Sequence, residues 1–247
     1  MAYQTVFKRY ELKYMLTLEQ KERVLAAMTP YMKLDKYGRT PIRNLYFDTD
    51  TYLLIRRSIE KTTYKEKLRI RSYNKADADS AVFVELKKKF KRVVYKRRIS
   101  LPEAEAMKWL LGEKHIDKHT QISNEIDNFM DYYGALHPTV FLSYEREAFY
   151  TNDGSDFRVT FDDNILCREE DLSLQSDAYG TPILPEGKVL MEIKCSGGIP
   201  LWMTEVLSRE KIYKTSFSKY GTAYRTLIFS QNHKMNSYNM LEVTTNA

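Results

Sequence analysis

Between Ala81 and Ser100 the chain reads AVFVELKKKFKRVVYKRRIS, with charges at nearly every second position. Side chains alternate across a β-strand. A strand through the first half therefore shows Val82, Val84 and Leu86 on one face and Phe83, Glu85, Lys87 and Lys89 on the other. The second half alternates Val94, Lys96 and Arg98 against Tyr95, Arg97 and Ile99. The design recurs along the chain. Lys13, Arg69, Arg71, Lys87, Lys96, Arg98, Arg146, Arg158 and Lys194 fall on polar strand faces, with Glu11, Glu85, Asp162 and Glu192 interspersed. Unit charges about 4 Å apart interact at roughly 4 kcal/mol at an effective dielectric of about 20. A crowd of cations is therefore costly unless acids, solvent or a polyanion relieves it. A phosphate chain suits such a face, because Arg forks and Lys point charges are the usual phosphate ligands. The acids suit Mg²⁺ or Mn²⁺, which take hard carboxylate oxygens. Glu192, set in the apolar run VLMEIKC, is the candidate metal ligand, with pairing to a neighbouring Lys or Arg as the other reading.

Those faces need a scaffold. Strands are expected over Phe7–Met15, Arg43–Asp48, Tyr64–Tyr73, the pair within Ala81–Ser100, Thr139–Phe149, Phe157–Asp162 and Val189–Cys195. Thr17 with Gln20 makes a capping box for a helix whose apolar side is Leu18, Val24, Leu25 and Met28 and which Pro30 ends. Ser100 with Glu103, and Pro102 in the first turn, makes a second such start. Further helices fit Thr51–Ser58, Gln121–Ala135, Leu201–Lys211 and Ser218–Phe229. Ser173–Gly187 is an irregular loop. No repeat or long linker divides the chain. About eight strands and a handful of helices indicate an α+β class, on a mostly antiparallel sheet or closed barrel. Helices covering the apolar faces from outside would turn the charged faces inward. The bland alternative is an antiparallel sheet with one face in water.

The 247 residues suit one large domain, and Lys plus Arg exceed Asp plus Glu, 39 against 33, so an anionic partner is expected. A disulfide between Cys167 and Cys195 is not required, and two buried thiols in a reducing compartment are the favoured reading. The start MAYQTVFKRYELKY carries no signal-peptide pattern, and no apolar run reaches membrane-spanning length. A cytoplasmic location is expected. His115 and His119 have helical spacing without an HExxH motif, and Gly197-Gly198 lacks the GK[ST] of a phosphate loop. Trp109 and Trp202 are expected in the core. The run Lys87–Lys91 could grip nucleic acid. Alternation scatters its charges over two faces, so nucleic acid is not an obligate partner.

FKRYELKY, KLRIRSY, FVELKKK, VYKRRI, LSYEREAF, FRVTFDDNI, VLMEIKCSGGIPLW and SFSKYGTAY occur in this order. Together, from about Phe7 to Arg225, they resemble the VTC domain, the polyphosphate polymerase domain of the vacuolar transporter chaperone family, among the triphosphate tunnel (CYTH-like) metalloenzymes. The resemblance implies an eight-stranded antiparallel β-barrel, the triphosphate tunnel, with helices packed outside. It implies Mn²⁺ or Mg²⁺ as cofactor, and ATP or another nucleoside triphosphate together with polyphosphate or pyrophosphate as ligands. Motif by motif it assigns catalytic roles to Lys13, Arg69, Arg71, Lys87, Lys96, Arg146, Arg158 and Lys219. It assigns phosphate contacts to Arg98, Tyr144 and Ser218, and the metal to Glu192; Lys194, from its polar strand face, is a further candidate phosphate contact. The domain would run over 1–231, with 232–247 a polar tail. Two departures stand out. Ser216 replaces a second Lys before FSK (Lys214 lies two residues earlier), and Arg9, Glu11 and Lys13 stand where the CYTH signature reads ExExK. The missing first Glu argues against a simple triphosphatase. No SPX sensor or membrane segment is recognisable, so a membrane partner for product export and the oligomeric state stay open. The implied reaction is transfer of the ATP γ-phosphate to a growing polyphosphate chain. The alternatives are hydrolysis of triphosphate or polyphosphate in the same fold, and a polyanion-binding module without turnover.

Overall fold

The computed structural model describes residues 10–229, apart from 61, 92 and 117–119. Arg9, His119 and the tail 232–247 lie outside the described residues. In chain order the elements are β1 (Tyr10–Thr17), α1 (Leu18–Met28), β2 (Met32–Leu34), β3 (Thr40–Asp48), α2 (Leu53–Ile59), β4 (Tyr64–Tyr73), β5 (Ala81–Phe90) and β6 (Val93–Pro102). There follow α3 (Glu103–Leu110), α4 (Gln121–Tyr133), β7 (His137–Thr151), β8 (Arg158–Arg168), β9 (Thr181–Pro182), β10 (Lys188–Cys195), α5 (Leu201–Arg209), β11 (Lys214–Thr215) and α6 (Lys219–Tyr224). A π-turn over Arg225–Phe229 continues α6.

The α+β class and antiparallel pairing hold. The closed eight-stranded barrel does not: among the described residues eleven strands run in the order β11-β1-β10-β8-β7-β3-β4-β5-β6, with β2 on β7 and β9 on β8, and this path has two ends. Its ends carry the reason. β11 is only two residues long. β6 carries Lys96, Arg97 and Arg98 and finishes at Pro102, and charge and proline are what keep an edge strand from pairing further.

The chain divides into two compact units, each assembled from separate segments. The first comprises the described residues up to Ile42, with Tyr144–Ile165 and Leu184–Phe217. Its core gathers Leu16, Val24, Met28, Val159, Phe161, Val189, Met191, Ile193, Met203 and Val206, from β1, α1, β8, β10 and α5. The Thr17 capping box forms as expected: Thr17 Oγ1 accepts from the Gln20 amide at 3.1 Å, and Gln20 Oε1 accepts from the Thr17 amide at 3.0 Å. Leu18, expected on the apolar side, is instead 57 % exposed, because it opens the first turn. Trp202 lies at the margin of this core, packed against it. It is half-buried and stacks on Tyr31 with ring centroids 4.6 Å apart.

The second unit comprises Arg43–Ser143, Leu166–Ile183 and the described residues from Ser218. Strands β4, β5 and β6 form its meander, and β4 spans Tyr64–Tyr73 as the alternation predicts. Their apolar faces, with Leu68, Ile70, Val82, Val84 and Leu86, pack under α3 and α4 through Trp109, Ile126 and Phe129. Ser100 does not cap α3. It stays in β6 opposite Phe83, and the strand runs on to Pro102, which occupies the N-cap position with no side-chain bond. Strand pairing outweighs a local preference worth about 1 kcal/mol. A capping box that sequence reading missed lies at Thr120 and Ser123, before α4. Both thiols, Cys167 and Cys195, are free and buried.

In this unit Asp48, fully buried, organises the start of α2. Its carboxylate accepts from the amides of Thr49 and Leu54 at 2.9 Å and Ile55 at 3.0 Å, and from Tyr220 Oη at 3.0 Å. Tyr52 precedes the helix with φ 55° and no cap of its own, so Asp48 supplies the missing acceptor from outside the helix. Asp48→Ala strands buried donors, and we expect a loss of about 2–4 kcal/mol, read from urea unfolding. A change below about 0.5 kcal/mol would mean that water replaces the carboxylate.

Candidate phosphate-binding clusters

The first unit builds one cluster from facing strands. β1 pairs with β10 so that Lys13 sits opposite Glu192 and Glu11 opposite Lys194. β10 pairs with β8 so that Lys194 sits opposite Arg158. Period-two alternation then brings these side chains to one face. The Glu192 carboxylate meets Lys13 Nζ at 3.4 Å, Lys194 Nζ at 3.5 Å and Arg146 Nη2 at 3.7 Å. Arg146 grips Asp162 with two bonds of 2.6 Å, which fixes its guanidinium plane. Burial opposes its charge, but Tyr144, Asp162 and Glu192 outweigh burial and hold it protonated far above the ordinary range. Burial draws Lys194 down, set against attraction by Glu192. Lys13 also donates to the Phe217 carbonyl at 2.9 Å, and Glu11 lies 3.4 Å from the same ammonium. Arg158 lies 4.1 Å over the ring of Tyr150 and donates to its hydroxyl. Tyr144 is buried, with the Arg146 guanidinium 5.1 Å from its ring centre.

The second unit builds the other cluster around Glu85. That carboxylate is 1 % exposed and takes two bonds from Arg69, at 2.8 and 2.6 Å. Lys96 Nζ stands 2.5 Å away, and Arg71 and Arg98 each lie at 3.9 Å. Four cations thus converge on one acid. The register explains it: Glu85 is opposite Arg69 on β4 and Arg98 on β6, while Lys87 is opposite Lys67 and Lys96. Neutral partners orient the guanidinium groups. Tyr46 Oη accepts from Arg69 at 2.9 Å, Asn44 Oδ1 accepts from Arg71 at 3.0 Å, and Arg98 stacks 3.4 Å over Phe83. Burial alone would raise the Glu85 carboxyl, but Arg69, Arg71 and Lys96 hold it well below the usual carboxylate range. In the same unit Lys67 donates to Ser218 Oγ at 3.3 Å, and Ser218 accepts from the Gly221 amide. Lys219 opens α6 half-buried, and Tyr220 stacks on Tyr46 at 4.3 Å.

The structure therefore assembles Lys13, Tyr144, Arg146, Glu192 and Lys194 in one cluster, with Arg158 opposite Lys194 in register. It assembles Arg69, Arg71, Lys96 and Arg98 in another, with Lys87 in register beside Lys96. Sequence reading missed the part of Glu85 as hub, of Asn44 and Tyr46 as supports of its guanidinium partners, and of Lys67 as the donor to Ser218. The signal for Glu85 was present, since alternation already put a lone acid on a basic face. Nothing local marks Asn44 or Tyr46, whose partners are 27 and 23 residues away.

The VTC domain family model matches residues 8–228. The chain belongs to the VTC domain family. Its relatives include the protein named vacuolar transporter chaperone complex subunit 4 in Trypanosoma cruzi strain CL Brener, 24 % identical over 90 % of this chain and 34 % of the relative. The protein of the same name in Trypanosoma brucei brucei is 23 % identical over 90 % of this chain and 35 % of its own length. This VTC domain thus spans about a third of the length of those relatives. Among solved structures, a candidate adenylate cyclase from Bacillus halodurans matches with TM-score 0.53 and 17 % identity, over 84 % of this chain and 92 % of that one. That likeness is one of fold.

Lys96 in this VTC domain yields a pH expectation. Partial burial draws its ammonium down to about 8, against the pull of Glu85. A base with a lowered folded value keeps its charge below pH 8, at some cost to stability, and sheds it as pH rises through that value. A bound phosphate favours the charged form. Triphosphate affinity is therefore expected to be level below pH 8 and to fall above it by at most about tenfold per pH unit, with proton uptake on binding. Lys96→Arg should flatten the profile, which titration calorimetry in buffers of different ionisation enthalpy can check. An equally steep fall in the variant would assign it to another group.

Proposed function

We propose that this VTC domain is a metal-dependent polyphosphate polymerase that transfers the γ-phosphate of ATP to a growing polyphosphate chain. The observation that carries the reading is the pair of hubs, Glu85 with four cations and Glu192 with three. Each is a preassembled set of Arg and Lys groups, with orienting acids and phenols, of the kind that holds phosphate oxygens. Family membership agrees with this chemistry.

The donor set at Glu192 fits a divalent metal that arrives with phosphate. Glu11 and Glu192 each place a carboxylate oxygen 3.4 Å from Lys13 Nζ, so two hard oxygen donors converge on one cation position. Among the described residues no group of three or more His, Cys, Asp or Glu side chains is set to hold a metal, so phosphate oxygens and water would complete its shell. A metal there, Mn²⁺ or Mg²⁺, would offset charge on the phosphates.

The protein's own contribution is positioning. Phosphoryl transfer is catalysed chiefly by alignment and charge stabilisation. Arg146, locked by Asp162, and Lys13 present fixed donors beside Glu192. Arg69, Arg71, Lys96 and Arg98 do the same around Glu85, with Lys87, Ser218 and Lys219 as further phosphate contacts. An acceptor phosphate is already ionised, so its terminal oxygen can attack the γ-phosphorus without a strong base, and ADP leaves. Water in the acceptor's place would make the same groups a hydrolase.

The experiment is incubation of the purified protein with ATP and Mn²⁺, following ADP, free phosphate and long chains on a gel. The reading expects ADP with a lengthening ladder and little free phosphate. Equal ADP and phosphate would establish hydrolysis instead, and binding without ADP formation would leave a polyanion-binding module.

A further inference from the structure

The free end of the β5–β6 hairpin joins exposed apolar groups to lysines in a way that the phosphate clusters do not explain. Register puts Tyr64, Phe90 and Val93 in one cross-strand row. They are 42 %, 48 % and 43 % exposed, and Val94 and Tyr95 beside them are equally open. Lys89 and Lys91 flank this end, exposed, with Lys91 Nζ 5.4 Å over the ring of Phe90, and Lys88 is half-buried behind them. The acids nearby are engaged. Glu66 is buried, takes bonds of 2.6 Å from Tyr64 and Tyr133, and lies 3.8 Å from Lys88; Glu125 is bound to Arg97 at 2.8 Å.

Three occupants could cover such a surface, and its chemistry selects among them. A second copy paired along β6 would set the row Lys96, Arg97 and Arg98 against itself, and like charges directly opposite destabilise a strand pair. Single-stranded nucleic acid would need flat rings along its path, yet two of the five exposed side chains at this end are valines. An anionic lipid surface uses both features. Phe, Val and Tyr bury in the boundary between headgroups and acyl chains, and lysines just behind meet the headgroup phosphates. Edge protection accounts for the lysines alone. It leaves the outward Phe90, Val93 and Val94 unexplained.

We propose that the β5–β6 hairpin end docks this protein end-on on anionic lipid bilayers, with Phe90, Val93 and Tyr95 inserting from one strand face, Val94 flanking them on the other, and Lys88, Lys89 and Lys91 around the tip holding phosphate headgroups. The test is co-sedimentation of the full chain with vesicles of phosphatidylcholine alone and of phosphatidylcholine mixed with phosphatidylserine. Binding is expected to the mixed vesicles and to be weakened by salt. Phe90→Ser with Val93→Ser should remove most of it, and Lys89→Glu should reduce it by at least about fivefold, since one basic residue near such a surface is worth that factor. Both variants should keep their circular dichroism spectrum, and Phe90→Ser with Val93→Ser should keep its affinity for free polyphosphate. No preference for the mixed vesicles would overturn the proposal. So would Lys89→Glu losing vesicle and polyphosphate binding alike while Phe90→Ser with Val93→Ser loses neither, which would mark a general polyanion surface. Concentration-dependent dimerisation abolished by Phe90→Ser with Val93→Ser, without vesicle binding, would assign the hairpin to self-association.

Discussion

Replacing Glu85 with alanine is expected to destabilise the protein by about 3–5 kcal/mol, the usual cost of removing one partner from a buried ion pair. Four cations depend on that carboxylate, but not equally. The side chains of Arg69 and Arg71 are 21 % and 10 % exposed, whereas those of Arg98 and Lys96 are 39 % and 44 % exposed and can turn to water. Most of the cost therefore falls on Arg69, which loses two bonds, and on Arg71. Tyr46 and Asn44 still accept from them but carry no compensating charge. The pH dependence follows from the sign of the shift. Glu85 has a depressed folded value, so its contribution is whole above the unfolded carboxylate value, about 4.3. It is lost only as pH falls through the folded value. The gap between the native protein and Glu85→Ala in denaturant midpoints should stay constant from neutral pH to about pH 5 and close only in stronger acid. Inorganic triphosphate should return about 2.7 kcal/mol at a hundredfold excess over its Kd, because an anion then takes the place of the missing acid. A variant as stable as the native protein, or one indifferent to triphosphate, would mean that these cations are held apart by water and do not form a phosphate site.

How much of this was legible in the sequence depends on the range of the interaction. β4, Tyr64–Tyr73, is visible because YKEKLRIRSY alternates without interruption, so a local period states both the strand and its two faces. α1 is visible because Thr17 and Gln20 satisfy each other three residues apart. Ser100 shows the limit. It carries the same local signal as Thr17, but β5 offers Phe83 as a strand partner, and strand pairing decides the outcome. β2 and β11, at three and two residues, are too short to show a period. The division into two units was hidden for another reason. Each is built from interleaved segments, so no linker composition marks a boundary. At the clusters, residue types and faces were readable, while the hub role of Glu85 depends on register. Only pairing with β4 and β6 reveals that one acid serves Arg69, Arg71, Lys96 and Arg98.

Glu192→Gln is expected to lower metal-dependent turnover by about a thousandfold or more while leaving the fold in place, because metal stabilisation of transferring phosphate is worth several kcal/mol. Glutamine keeps the volume and an acceptor oxygen, so β10 should keep its register with Lys13 on β1 and Thr160 on β8. Arg146 retains its two bonds to Asp162 and does not become an unpaired buried charge. The loss of one negative charge also acts on binding. Lys13, Arg146 and Lys194 then face the ligand with less compensation, so metal-free triphosphate should bind as tightly as in the native protein or more tightly. The signature is thus a split, with kcat collapsing while affinity for the bare anion holds or rises. Mn²⁺ titration at fixed triphosphate should show a weakened metal dependence in the variant. A variant with normal turnover would remove Glu192 from metal binding and leave it as the ion-pair partner of three cations. A parallel loss of anion affinity and turnover would point instead to a disturbed β1–β10 register, which amide exchange at Leu12 and Ile193 would reveal.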